Sequence, residues 1–199
     1  MRKLAMTLLA CGSLAATTAP AKAEWQSYVS HELGLAFKAP GEVKSSIGTS
    51  QGDLAGRRAT TVFRSVDNNI EYQVTVAKFT QAQPHGGDLV GERAFMFQKN
   101  RNGTDVAGQK VLMDTLSRVD SGKDVVYGRK VTIQLPKNGG RRLAAFYFTK
   151  GKLYTLEATV LPVNGEYATT DAGRFIDSVS FNLSGADKSS TELKLPPPD

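Results

Sequence analysis

Gly48-Thr49-Ser50-Gln51-Gly52 matches the G-x-S-x-G pattern of a hydrolase nucleophile elbow. Asp67 and His85 follow in an order that could complete a triad. An elbow has to join a strand to a helix so that the serine hydroxyl stands exposed at the turn. The residues that follow, Leu54 to Val66, include Arg57, Arg58, Thr60, Thr61 and Val62. They suit a strand better than a helix, which makes the Gly/Ser stretch a loop between strands. A small serine hydrolase built on Ser50 is kept as the alternative function. Gly103 to Lys110 approximates a phosphate-binding loop, but Gln109 separates Gly108 from Lys110, and Val111 stands where a magnesium-binding hydroxyl is needed. Asp67 to Glu71 and Asp120 to Asp124 space their carboxylates like the start of a calcium loop. Lys78 and Val131 occupy the position where the closing carboxylate belongs. His31 and His85 are the two histidines of the chain and are expected in exposed loops. No catalytic residue, metal site or cofactor is assigned on these grounds.

The basic side chains are a second kind of candidate. Arg57-Arg58, Arg64, Arg129-Lys130, Lys137, Arg141-Arg142, Lys150 and Lys152 gather in the strand region, with Phe146, Tyr147 and Phe148 among them. At strand ends Lys and Arg discourage edge-to-edge pairing. They also attract anions over a distance that salt limits. The candidate surface for an anionic partner is Lys137, Arg141, Arg142, Lys150 and Lys152. From Arg142 to Thr149 both alternating faces are apolar, so that strand is expected to be central and its aromatics to lie in the core.

The elements that position these residues begin after a leader. Arg2 and Lys3, an apolar stretch from Leu4 to Ala16 and the small-residue site Ala21-Lys22-Ala23 are arranged as a cleaved secretory signal over residues 1–23. The apolar stretch falls short of the ~20 residues a spanning helix needs. Leu8-Leu9-Ala10-Cys11 offers an alternative, lipid attachment at Cys11. Of the 25 basic side chains three lie in the leader, with none of the 19 acidic ones, so the net charge of +6 falls to +3 after cleavage. So small an excess, in a chain expected in the periplasm or outside the cell, does not suggest nucleic acid. The single cysteine leaves with the leader, and stability must then come from an ordinary core.

From Trp25 to about Val160 apolar residues alternate with polar ones, as in Ile70-Tyr72-Val74-Val76, Val131-Ile133-Leu135 and Tyr154-Leu156-Ala158-Val160. Asp67-Asn68-Asn69, Asp120-Ser121-Gly122, Asn138-Gly139 and Lys150-Gly151 punctuate these runs as hairpin turns. Two stretches have helical spacing. One runs from the cap Asp88 through Leu89, Val90, Ala94 and Phe97 to a stop at Gly103, near residues 88–102. The other carries Ala172, Phe175, Ile176 and Val179 after Thr169 or Thr170, near residues 170–179. The expected fold is one α+β domain over residues 24–183, an antiparallel sheet of about six to eight strands with two principal helices packed on it. The polar stretch from 184 to 199, ending Pro196-Pro197-Pro198-Asp199, is expected as a disordered tail.

The order Trp25, Tyr28, Ser30, Glu32, Gly34, Phe37, Pro40, then Tyr72, the helix at Asp88, Tyr154 and the closing Arg174-Phe175-Ile176-Asp177-Ser178 resembles the Mog1/PsbP-like group of α/β/α sandwiches. The resemblance covers residues 25 to 182 and points to that group's bacterial secreted members of unknown function. It implies the sandwich fold and an accessory role in binding or assembling larger protein partners, and it brings no catalytic or ligand residues. The expected function is therefore an exported, non-enzymatic binding protein of the periplasm or cell envelope, acting on a protein or an anionic envelope component.

Overall fold

Tyr72, Val74 and Val76 point to one side of their strand, and Gln73, Thr75 and Ala77 to the other. In the computed structural model both sides are covered, because one helix lies on one face of a large sheet and a second helix with a small sheet on the other. The structure describes residues 23–50, 58–79, 86–99, 105–122, 124–184 and 189–196. The signal-peptide and Cys11 expectations lie outside these residues, as do His85 and Gly103.

The elements are β1 (Trp25–Ser30), β2 (Leu35–Pro40), β3 (Lys44–Ser50), β4 (Arg58–Asp67), β5 (Ile70–Lys78), α1 (Gly86–Gln98), β6 (Lys110–Asp120), β7 (Val125–Gln134), β8 (Arg141–Thr149), β9 (Lys152–Val160), α2 (Thr170–Asp177) and β10 (Thr191–Glu192). The large sheet has seven strands in the order β3-β4-β5-β9-β8-β7-β6, every neighbouring pair antiparallel. Three further strands, β10-β1-β2, form a small sheet. This is the expected α+β architecture. The expected turns close four hairpins of the large sheet, and the positive φ of Asn68, Gly122, Asn138 and Gly151 explains why Asn and Gly are used there.

One face of the large sheet holds the main core. Phe63, Tyr72, Val74, Tyr154 and Leu156 pack there against Leu33, Leu35 and Phe37 of the small sheet and its turn, and against Ala172, Phe175 and Ile176 of α2. Tyr72 and Phe175 meet edge to face with ring centroids 5.2 Å apart. The other face packs Val131, Ile133, Ala144 and Phe146 against Val90, Ala94 and Phe97 of α1. As expected, β8 is central, with Ala144, Ala145, Phe146 and Tyr147 all buried.

α1 begins at Gly86, two residues before the expected cap Asp88. Asp88 lies in the first turn instead, where a carboxylate still favours the helix dipole. Thr169 takes the N-cap position of α2 but makes no side-chain cap bond. The disordered-tail expectation for 184–199 does not hold over residues 191–193. Thr191–Glu192 pair in parallel with β1, Leu193 N donates to Val29 O at 2.7 Å, and the Leu193 side chain is 7% exposed. One well-placed leucine and an open edge on β1 outweigh the polar composition around them.

Candidate functional site

Where α1 crosses β7 and β8, Val90, Ala94 and Phe97 pack on the sheet, and glycine stands at positions 86, 87 and 91 beside them. A Cβ on Gly86 would lie 2.1 Å from Phe148 Cδ1, so the close approach of helix to strand depends on glycine there. A Cβ on Gly87 or Gly91 would meet nothing within 4 Å. The space these two leave is an open cleft of about 460 Å³ between the helix and the β6–β7 end of the sheet, lined by Gly87, Gly91, Leu116, Tyr127, Phe148 and Lys150 among others.

The pairing of β6 with β7 sets the far wall. Leu116 opposes Arg129 and Arg118 opposes Tyr127, which places all four on the face that carries α1. The helix does not reach this far, and Leu116 is left 88% and Tyr127 72% exposed, with Val125 at 41% beside them. Apolar side chains this open, on neighbouring strands and against a cleft, mark a surface suited to apolar and aromatic groups of a partner.

A polar clamp holds the wall to the helix. Arg129 Nη2 donates to Asp114 Oδ2 at 2.8 Å, and Gln98 Nε2, in the last turn of α1, donates to the same oxygen at 2.7 Å. The Arg129 hydrogen bond is the main reason the Asp114 carboxyl lies below its usual range, with partial burial acting against it and the Gln98 bond adding to it. The same bond raises the Arg129 guanidinium. Deeper under α1, Arg142 Nε donates to Glu157 Oε1 at 3.0 Å, and its guanidinium lies 4.5 Å from the centre of the Phe97 ring.

Of the five residues named for an anionic partner, the structure brings together two separate groups. Lys137, Arg141 and Arg142 lie at the start of β8, and Lys150 and Lys152 beyond its other end. Nine extended residues, about 30 Å, separate them. In the first group Arg142 is engaged with Glu157, and Arg141 stacks 4.8 Å from the Tyr167 ring. In the second, Lys152 pairs in register with Lys78, whose Nζ meets Glu32 Oε1 at 3.1 Å. Burial is the main cause of a lowered Lys152 ammonium pKa, with the charges of Lys78 and Lys150 adding to it. His31 lies in the expected exposed turn, with Nδ1 2.6 Å from Glu192 Oε2.

Ser50 ends β3, and its backbone is in register with Arg58 of β4. Ser50 is thus the end of a strand, and the next described element is the strand from Arg58, where an elbow leads from strand to helix; residues 51–57 lie outside the described set. Sequence reasoning missed the cleft. Its wall residues Leu116 and Tyr127 carry no motif, and only the two glycines at helical spacing, Gly87 and Gly91, hinted at a bare stretch of helix.

No protein-family model matches the chain, and the search of curated proteins found no match. Among solved structures, the solution structure of cyanobacterial PsbP (CyanoP) from Synechocystis sp. PCC 6803 is similar, with 17% identity over 76% of this chain and 86% of that one and a TM-score of 0.46. That likeness is too loose to transfer a site or a role. Among the described residues no helix is long and apolar enough to cross a membrane.

Proposed function

We propose that this chain is an exported, non-enzymatic accessory protein of the cell envelope, and that it binds an extended apolar segment of a partner protein in the cleft between α1 and the β6–β7 hairpin. The leader over residues 1–23 supports export. The observation that carries the binding reading is the exposure of Tyr127, at 72%, and of Leu116, at 88%, on one face of neighbouring strands beside an open cleft. Monomeric surfaces seldom leave neighbouring large apolar groups this bare without a use for them. The cleft is open, as a peptide segment requires, and Gly87 and Gly91 leave its helix wall low on either side of Val90. Arg129 and Asp114 at its rim neutralise each other, so the contact is expected to depend little on salt.

The test is capture from the native envelope with the processed protein as bait, compared with a Gly91→Leu bait whose side chain fills the cleft. A partner retained by the first and lost by the second supports the reading. The same partners on both baits would remove the cleft from consideration.

A further inference from the structure

The large sheet has two edges, β3 and β6, and they are built differently. β3 is seven residues long, polar, and carries a glycine in its middle. β6 runs for eleven residues without proline or glycine, and among the described residues it pairs with β7 alone. Val111, Leu112, Met113 and Leu116 on it are 40 to 88% exposed. A long edge strand with bare apolar side chains is what folded proteins ordinarily blunt, since its free backbone groups are a template for another strand. Here the irregularity between Val111 and Met113 limits the regular ladder to Met113–Asp120.

The geometry points to a second copy of this chain as the strand that covers β6, paired antiparallel about a two-fold axis through Leu116. Directly opposed residues share a face, so a symmetric pairing centres on a residue, and three centres keep the contact within the regular stretch. Centred on Ser117, Asp114 meets Asp120 of the other copy, a like-charge opposition. Centred on Thr115, Asp114 meets Leu116, and Leu112 of the irregular stretch meets Arg118. Centred on Leu116, the most exposed apolar side chain meets its twin, Asp114 meets Arg118 twice, Met113 meets Val119, and Thr115 meets Ser117. Within Met113–Val119 every opposed pair is then matched in charge or polarity, and only at the margin does Leu112 of the irregular stretch fall opposite Asp120. Asp114 already accepts from Arg129 and Gln98, and its carboxylate has lone pairs left for Arg118. The two seven-stranded sheets become one, with both clefts on the same face. This pairing does not depend on what the cleft binds.

The experiment uses the full chain with Cys11→Ser, so that an introduced cysteine is the only thiol. Opposed residues in such a ladder have Cα atoms about 4.5 to 5.5 Å apart, within the span of a disulfide. Leu116→Cys should give a covalent dimer under mild oxidation at micromolar protein, and Val111→Cys, about 30 Å from its twin in this register, should not. In sedimentation equilibrium the parent should be a dimer, and Arg118→Asp, which sets carboxylate against Asp114, should weaken association by about tenfold or more. Leu116 and Arg118 are exposed, so circular dichroism of both variants should match the parent. Equal cross-linking at positions 111 and 116, a parent that stays monomeric at millimolar concentration, or a dimer indifferent to Arg118→Asp would each overturn the proposal.

Discussion

Asp114 of β6 and Arg129 of β7 form a two-bonded ion pair across neighbouring strands, and Gln98 of α1 shares one of its oxygens. This one carboxylate fixes the strand pair to the helix that roofs the cleft. Replacing it with Asn keeps the shape but loses the charge-assisted bonds. Asp114→Asn should lower unfolding free energy by about 1 kcal/mol, read from urea melts at neutral pH. The pH dependence has a fixed sign. The folded state lowers the Asp114 pKa, so its contribution is fully present above the unfolded value of about 3.9 and is lost as pH falls through the folded value. The gap between parent and variant should therefore close below about pH 4. A gap that persists or widens in acid would mean that the pair does not bind the strands as described.

The C-terminal stretch is structural. Leu193 is buried against the main core and its backbone continues the small sheet through β10. Leu193→Ala should cost about 2 to 3 kcal/mol and lower Tm by roughly 4 to 10 °C in calorimetry. Removal of residues 189–199 should do at least as much. A truncated protein with an unchanged Tm would show that β10 contributes nothing.

Two glycines make opposite predictions. Gly91→Leu adds a side chain where the structure leaves open space and removes a poor helix former, so stability should hold or rise by up to about 1 kcal/mol while the cleft fills. Gly128 lies under Tyr147 in the neighbouring strand, and a Cβ there would come 2.3 Å from Phe146 O. Gly128→Ala should destabilise by about 1 to 3 kcal/mol, with the strand forced outward. Thermal melts of the two variants side by side decide both points.

Much of the fold was legible in the alternation of residues such as Ile70 to Val76 and Tyr154 to Val160, because a half-buried strand writes its period directly into the sequence. Turn residues at Asn68, Asn138 and Lys150 did the same for the hairpins. β10 was not legible: two residues paired by backbone, anchored by Leu193, have no period to read. The placing of the candidate basic residues was not legible for a related reason. Lys137 and Lys152 are fifteen positions apart, and only the extension of β8 between them shows that they occupy opposite ends of the sheet. The cleft is a relation between bare glycines on a helix and exposed side chains on two strands, and no single segment carries it.

Tyr127 and its neighbours, as a contact surface for a partner protein, should be within reach of that partner in the envelope. The measurement places a photo-activatable aromatic residue at position 127 in the producing cell, irradiates intact envelopes, and resolves the adducts by mass. The expected result is one predominant adduct to a single partner protein at position 127, its loss when Gly91→Leu is added, and none from the same probe at the exposed Ile47 on β3. Absence of any adduct at position 127, or the same adducts from positions 127 and 47, would contradict it.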